Sequence, residues 1–228
     1  MNKIYFLIFT ILLFSNYLIG QENKQNKSND FKVGINIGPN HNSLRGGSFS
    51  EKYDSNINLF TGLSFEFKIN ENFSILTNVN YEVKSVKTEY TTTVGFLTDF
   101  QTVEIEDKTK FQYLNIPILA RMYFGFENEF FVNGGFFYNK LLDIKNEMLN
   151  KENGENLSDL DFNELFNEDD IGISLGIGIN FKINDKNTLS IELRDDLGLS
   201  NIGKFDFGGI SPTKTNTFKL IANWSFGF

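Results

Sequence analysis

The C-terminal segment gives the strongest indication of the fold class: Thr217-Phe218-Lys219-Leu220-Ile221-Ala222-Asn223-Trp224-Ser225-Phe226-Gly227-Phe228. Every second residue in it is apolar, and the residues between are small or polar with the single exception of Ile221. Because successive side chains of a β-strand point to opposite faces, this alternation predicts a strand with one oily and one wet face. The oily face suits lipid, and the wet face suits the interior of a tube.

The same alternation recurs along the body of the chain. The clearest example is 171–183, where Ile171, Ile173, Leu175, Ile177, Ile179, Phe181 and Ile183 alternate with small or polar residues. With the C-terminal strand, the segments that show this pattern make eight predicted strands. The seven others lie at about 31–39, 57–69, 73–87, 111–124, 129–142, 171–183 and 188–197.

The connections between these strands alternate in length. Short turns are predicted at 70–72, 125–128 and 184–186, and long polar loops at about 40–56, 88–108, 143–170 and 198–214. Tight turns on one side and long loops on the other are typical of barrels in the outer membrane. The sequence therefore predicts an all-β fold, an eight-stranded antiparallel up-and-down transmembrane β-barrel with short periplasmic turns and long extracellular loops.

The N-terminal segment has the order of a secretory signal. Lys3 precedes an apolar run from Ile4 to Phe14, and Gly20 is small enough for cleavage before Gln21. We expect a signal peptide at 1–20, a flexible polar leader at 21–30 and the barrel domain at 31–228. An uncleaved membrane anchor is the alternative, but the apolar run is shorter than the roughly 20 residues of a spanning helix.

Composition excludes several classes of partner and cofactor. The formal net charge is −8, and loss of Lys3 with the signal peptide leaves −9, so nucleic acid is not an expected partner. The chain has no cysteine, which excludes disulfides and thiolate metal sites. The glycines at 172, 176 and 178 lack the spacing of a dinucleotide loop, and we expect no cofactor.

Charged residues concentrate on the wet faces of the predicted strands. An eight-stranded barrel is just wide enough for such side chains to fill it, so we interpret them as a structural polar network in the lumen. A soluble lipid-binding barrel, with the charges outside and the oily face inside, is the alternative. The predicted network consists of Glu66, Lys68, Glu82, Lys84, Arg121, Lys182, Glu192, Arg194 and Lys219.

Two segments resemble the PorT-like family of outer-membrane β-barrel proteins. The stretch 111–121, with Tyr113-Leu114-Asn115-Ile116-Pro117, is similar to the Tyr-Leu-x-Ile-Pro strand of that family, and 33–38 is similar to its opening strand. The resemblance implies an outer-membrane location, with lipid, the barrel-assembly machinery and envelope or secretion-complex proteins as partners. The alternate aromatics Trp224, Phe226 and Phe228 also resemble the C-terminal signal read by that machinery.

Two groups of residues could carry chemistry, but each also has a simpler structural explanation. His41, with Ser43, Ser48 and Glu51 nearby, is the candidate for a hydrolase at the barrel rim, although a solvated loop histidine accounts for it as well. Acidic residues crowd the loop 143–170 and are a candidate calcium site, but they lack the spacing of a calcium loop. They are Asp143, Glu147, Glu152, Glu155, Asp159, Asp161, Glu164, Glu168, Asp169 and Asp170.

Two local features carry structural predictions. Ser158 to Asp161, followed by Phe162, Leu165 and Phe166, predicts a short amphipathic helix lying over the barrel mouth. Pro117 lies inside a predicted strand, where its missing amide hydrogen indicates a bulge or a tolerated gap in the ladder.

The resulting functional hypothesis is a non-enzymatic outer-membrane barrel. Its extracellular loops would serve surface interaction, or the barrel would support assembly of an envelope or secretion complex. The alternatives are a small-solute or ion pore and a lipid or peptide hydrolase at the rim.

Overall fold

The computed structural model describes residues 31–46, 53–96, 99–126, 129–156, 163–204 and 212–228. The signal peptide and leader expected at 1–30 lie outside these residues. Each strand pairs antiparallel with the next, and β8 pairs with β1, so the sheet closes into a barrel and confirms the predicted fold class. The strands are β1 (Phe31–Arg45), β2 (Asp54–Lys68), β3 (Phe73–Phe96), β4 (Asp99–Phe124), β5 (Phe130–Asn150), β6 (Asp169–Lys182), β7 (Asn187–Gly198) and β8 (Lys214–Gly227).

Asparagine side chains shape two of the three short turns. The side-chain oxygen of Asn70 accepts hydrogen bonds from the backbone amides of Asn72 and Phe73, at 2.9 and 3.0 Å. Asn184 does the same for Lys186 and Asn187. Such side chains mimic a backbone turn, which is why these positions reverse the chain in so few residues. We call this the turn end of the barrel, and the opposite end the loop end.

Three strands run far beyond the length that a bilayer requires. A spanning strand needs about 9–11 residues, whereas β3, β4 and β5 have 24, 26 and 21. The predicted loop 88–108 is therefore wrong, because its two halves pair as a hairpin from Thr88↔Asp107 to Phe96↔Asp99. The start of the predicted loop 143–170 is wrong for the same reason, since 143–150 pairs with β4. We call residues 88–96, 99–110 and 143–150 the extension.

The ladder around Pro117 is interrupted on one side only. Pro117 pairs in register with Phe137 of β5, but the β3–β4 pairing skips from Thr77↔Ile118 to Asn80↔Asn115. The missing amide is thus tolerated as a gap towards β3. The bulge between β4 and β5 lies elsewhere, at Gln112 and Tyr113.

The outer surface of the barrel is apolar over the part nearer the turn end. Outward-facing residues there are largely exposed, including Ile35, Leu63, Leu175 and Trp224 at 62, 48, 63 and 64%. Charged residues of the same strands are buried inside, among them Glu82, Arg194 and Lys219. The oily face therefore points outward, and the soluble-barrel alternative, which needs the opposite arrangement, is not the observed fold. In the part of the chain that the structure describes, no helix has the length and apolarity to span a membrane.

Candidate functional site

Arg121 organises the lumen nearest the turn end. Its guanidinium nitrogens lie 3.3 Å from Glu66 Oε2 and 3.3 Å from Glu192 Oε2, and its Nε donates to Asn133 Oδ1 at 2.9 Å. The guanidinium carbon also lies 3.9 Å from the ring centroid of Phe131. Four strands, β2, β4, β5 and β7, are thus joined across the interior by one side chain. The fork of donors on arginine suits such multiple pairing.

Lys219 forms a second charged cluster near the middle of the barrel. Its Nζ lies 2.9 Å from Glu82 Oε2 and 2.7 Å from Asp196 Oδ2, and all three side chains are completely buried. Asn40 donates to the other oxygen of Glu82 at 3.0 Å. Because an unpaired charge in this position is costly, the lysine and its two carboxylates depend on one another.

A series of hydrogen-bonded polar side chains, five carboxamides and one carboxylate, runs around the interior from β8 to β6. The side-chain nitrogen of Asn223 on β8 donates to Asn36 on β1 at 2.7 Å, and four further side-chain bonds of 2.7–3.3 Å carry the series on to β6. We call it the amide ring. Its members in order are Asn223, Asn36, Asn80, Asn115, Asn139 and Asp170.

One glycine makes the amide ring possible at β2. A Cβ on Gly62 would lie 2.3 Å from Asn80 Oδ1 and 2.3 Å from the Val79 carbonyl oxygen. With no side chain there, β1 and β3 approach across β2, and Asn36 reaches Asn80 directly. Any larger residue would push these strands apart.

The loop end of the lumen is filled differently, by an apolar cluster. Phe166 from the β5–β6 connection packs edge-on against Phe111 with ring centroids 4.9 Å apart. Ile202 from the β7–β8 connection is completely buried in the same cluster. We call this the mouth cluster; it consists of Val86, Phe111, Tyr113, Leu141, Ile144, Phe166 and Ile202.

Backbone bonds between the two loops hold the mouth cluster in place. The amide of Asn167 donates to the Ile202 carbonyl at 2.7 Å, and that of Lys204 donates to the Leu165 carbonyl at 2.9 Å. A 3₁₀ helix occupies Asn163–Leu165, while residues 158–162 of the predicted amphipathic helix lie outside the described residues. The two loops together close the barrel mouth.

Below the mouth cluster, several polar atoms lack hydrogen-bond partners. Lys84 Nζ lies 3.8 Å from Asp170 Oδ2 and 5.2 Å from the Tyr113 ring centroid, yet it donates no hydrogen bond to a described residue. The Tyr113 hydroxyl is also without a partner in this part of the chain. Such atoms mark the point where the polar filling ends and the apolar filling begins.

Seven of the nine residues expected in the lumen are buried inside the barrel. The two exceptions are lysines near the turn end: Lys68 is half-buried, and Lys182 is exposed and 3.7 Å from Asp185. Lys182 thus departs from the expectation because it lies at the end of its strand, where the interior opens to solvent. The seven are Glu66, Glu82, Lys84, Arg121, Glu192, Arg194 and Lys219.

Sequence reasoning missed Asp196 and Asn40. Asp196 shares the strand face of Glu192 and Arg194, so the alternation pointed to it. Asn40 was assigned to a loop because β1 runs six residues further than expected. Phe166, which was expected in a short helix over the mouth, directly follows the 3₁₀ helix at Asn163–Leu165 and is buried in the mouth cluster.

The candidate chemical residues do not converge. His41 lies on β1 and faces outward between Ile57 and Phe218, with no hydrogen bond to a described residue; Ser48 and Glu51 lie outside the described residues. The acids of 143–170 are dispersed: Glu147 pairs with Lys110, Asp169 with Lys140, and Asp170 is inside the barrel. Asp159 and Asp161 are not among the described residues, and those that are form no metal-binding group.

The aromatic residues of the C-terminal strand lie together on the outer surface. Trp224, Phe226 and Phe228 are exposed at 64, 38 and 70%, and the rings of Phe226 and Phe228 are 5.0 Å apart. The indole nitrogen of Trp224 donates to Asn187 Oδ1 at 3.1 Å. They form part of an aromatic rim at the turn end, where the ring centroids of Phe31 and Phe228 are 6.5 Å apart.

Comparison with known proteins gives the class. The profile of the outer membrane protein beta-barrel domain matches residues 21–204, and the chain belongs to this family. With the closed barrel and its oily outer face, this places the protein in the outer membrane. No curated protein sequence matches the chain.

Several solved outer-membrane protein structures show a slight similarity to this chain. Ail, the attachment invasion locus protein of Yersinia pestis, is 12% identical with a TM-score of 0.41, covering 86% of this chain and 99% of its own. OprG from Pseudomonas aeruginosa is 13% identical with a TM-score of 0.41, covering 86% of this chain and 95% of its own. The outer membrane protease OmpT from Escherichia coli is 8% identical with a TM-score of 0.41, covering 91% of this chain and 99% of its own. Likeness this slight indicates nothing about what this chain binds or does.

Proposed function

We propose that this protein is a non-enzymatic outer-membrane barrel that presents the extension to a partner at the cell surface. The observation that carries the proposal is the length of β3, β4 and β5, which continue beyond the apolar band as a paired sheet. A barrel that only had to span the membrane would not need strands of 24 and 26 residues.

The extension is built as a stiff surface rather than a loose loop. Its β3–β4 register is unbroken from Asn80↔Asn115 to Phe96↔Asp99. On its outer face, Lys151 Nζ lies 2.7 Å from Glu89 Oε2 and 3.2 Å from Glu104 Oε1. A preorganised surface loses little conformational entropy on binding, which favours recognition of a partner.

The filled lumen supports a presenting role over a pore. The Arg121 and Lys219 clusters cross the interior, and the mouth cluster covers it. The hydrolase alternative has less support, because His41 faces outward. Planar-bilayer recordings test the choice: we expect no conductance steps from the reconstituted protein, and regular steps would favour the pore.

The resemblance to the PorT-like family suggests what the partner does. Its founding member is associated with the secretion and maturation of surface proteins. We therefore include support of an envelope or secretion complex in the proposal, with the extension as the contact surface. The barrel-assembly machinery is the expected partner for the residues Trp224, Phe226 and Phe228.

The test shortens the extension without touching the barrel. Replacing residues 89–106 with an Asn-Gly turn joins Thr88 to Asp107, which already face each other in register. A matched control replaces only 95–100 and joins Val94 to Gln101. Outer-membrane fractionation and the heat-dependent gel shift establish that both variants fold.

We expect the large deletion, but not the small one, to change envelope integrity, surface adhesion or the yield of secreted surface proteins. If both variants behave as the wild type in all three assays, the extension is not a functional surface and the proposal fails.

A further inference from the structure

Two loop segments cover the loop end of the lumen. They are 163–168, before β6, and 200–204, after β7, and we call them the lid. Phe166 and Ile202 are the lid residues that belong to the mouth cluster. The amide of Asn167 donates to the Ile202 carbonyl at 2.7 Å, and the Asn167 side chain donates to a carbonyl of the second segment at 2.9 Å. These bonds can break without opening the wall of the barrel, so the lid is suited to local opening.

Ser200 ties the lid to the wall of the barrel through Asp170. Its hydroxyl donates to Asp170 Oδ1 at 2.9 Å and accepts a hydrogen bond from the amide of Ile171 at 2.9 Å. The other oxygen of Asp170 accepts from Asn139 at 3.0 Å and from Thr215 at 2.8 Å. The buried carboxylate therefore has hydrogen-bond donors on both oxygens while the lid is closed.

Lys84 faces the same carboxylate but does not hydrogen-bond to it. Its Nζ lies 3.8 Å from Asp170 Oδ2, and its side chain is only 4% exposed. None of its three N–H groups donates to a residue that the structure describes, and the adjacent hydroxyl of Tyr113 has no partner among those residues either. Burial of unpaired donors is unfavourable, most of all for a charged group. The closed lid thus covers polar atoms that water would stabilise.

Apolar and polar groups have opposite effects on closure of the lid. Closure buries Phe166 and Ile202, which favours the closed state. It also removes water from Lys84, and the two effects are of the same order for groups of this size. When the lid opens, Ser200 leaves Asp170, and the freed carboxylate oxygen becomes available to Lys84. Asp170 therefore has a partner in both states, the serine in one and the lysine in the other.

We propose that the lid is a two-state cover over a polar chamber, and that Lys84 favours its open state. Opening admits water as far as the Lys219 cluster but not through the barrel, because the charged clusters still cross the interior. It also releases the amide of Ile144 in the extension, which donates to Asn163 Oδ1 of the lid at 3.0 Å. Lid opening thus alters the surface beside the extension, whether or not the extension binds a partner.

Hydrogen exchange of the full-length barrel in detergent tests for the open state. We expect the lid amides of Asn167 and Lys204 to exchange on the order of tenfold faster than those of β1 and β8, since local opening requires less free energy than unfolding. Acetylation of Lys84 by an amine-reactive ester should also proceed without unfolding. If the lid amides exchange at the rate of β8, the lid opens only with the whole barrel, and the proposal is overturned.

Lys84→Met tests the direction of the effect of the lysine. If the lysine stabilised the closed lid as an ion-pair partner, this variant would speed exchange of the lid. Because we infer that it favours the open lid, we expect exchange slower on the order of tenfold, the effect of one unsatisfied buried donor. Ser200→Ala should speed exchange, because Asp170 loses its closed-state donor. Lys145→Met, at an exposed lysine, is the control and should change nothing.

Faster or unchanged exchange of the lid in Lys84→Met overturns the proposal. If that variant does not fold, acetylation of Lys84 in the Ser200→Ala protein decides instead. The acetylation rate should rise relative to that of the exposed Lys145, and an unchanged ratio would show that Ser200 does not hold the lid closed.

Discussion

The two halves of β4 carry opposite patterns on the same strand. From 114 to 124 the outward residues are all apolar, namely Leu114, Ile116, Ile118, Ala120, Met122 and Phe124. From 102 to 112 they are all polar, namely Thr102, Glu104, Glu106, Lys108, Lys110 and Gln112. The inward face is mixed in both halves: it includes Asn115, Arg121 and Leu119 in the first, and Val103, Ile105, Asp107, Thr109 and Phe111 in the second.

This change of pattern along β4 locates the edge of the bilayer. Within the membrane, apolar residues face lipid and the interior holds the polar partners that cannot face it. Beyond the membrane, the outside is water, so the strand returns to the ordinary arrangement of a soluble protein. The change between Gln112 and Leu114 marks this boundary, and the apolar half has a length of about one crossing.

The largest expected effect comes from breaking the buried charges of the spanning half. Lys219→Ala leaves Glu82 and Asp196 facing each other in a completely buried site. We expect a loss of about 3–5 kcal/mol in the free energy of unfolding, the usual result of removing one partner of a buried pair. Urea unfolding followed by the heat-dependent gel shift measures it. The exposed Lys145→Ala is the control, and equal midpoints for the two variants would contradict the role of Lys219.

A smaller and more local effect is expected at the mouth cluster. Phe166→Ala removes a buried ring that packs against Phe111, with a transfer cost of about 2–3 kcal/mol. Since Phe166 belongs to a loop, the barrel should persist while the two loops separate. Hydrogen exchange should speed up at 163–168 and 200–204 with no change in β1 or β8. Global unfolding in place of this local response would show that the mouth and the spanning half are one cooperative unit.

The smallest effect is expected on the polar outer face of the extension. The hydrogen bond and charge of Lys151 lower the pKa of Glu89, and the same contact raises the pKa of Lys151. The pair is therefore present at neutral pH and disappears as the pH falls through the lowered pKa of Glu89. NMR titration of Glu89 should give a midpoint below that of a model glutamate, and Lys151→Gln should raise it most of the way back, since Lys87 also lowers the pKa of Glu89. No change in that variant would mean that the contact does not persist in solution.

Much of the spanning half was predictable because lipid enforces its pattern. Ile171 to Ile183 alternates without interruption, and the structure places these residues on β6 and the turn that follows it. The turns were also predictable, since Asn70 and Asn184 have side chains suited to reversing a strand. Lys182 was misplaced because alternation specifies a face but not the depth at which an interior opens.

The extension was not predictable by the same reasoning. Its outward residues are charged, so the segment 99–110 resembles a polar loop when apolar alternation is the criterion for a strand. Its inward residues Val103 and Ile105 are the signal that was available. Ile202 is held at the mouth through backbone bonds between two loops, which no local pattern encodes. The site thus depends on contacts that are distant in the sequence.

The amide ring makes a shifted strand register energetically unfavourable while the barrel assembles. A slip of two residues between strands would keep every side chain on its proper face, so the oily and wet patterns alone would not detect it. The amide ring would oppose such a slip, because displaced carboxamides would be buried without partners at a cost of about 1–3 kcal/mol each. Since the link from Asn223 to Asn36 joins the last strand to the first, this bond forms only when the sheet closes in the correct register.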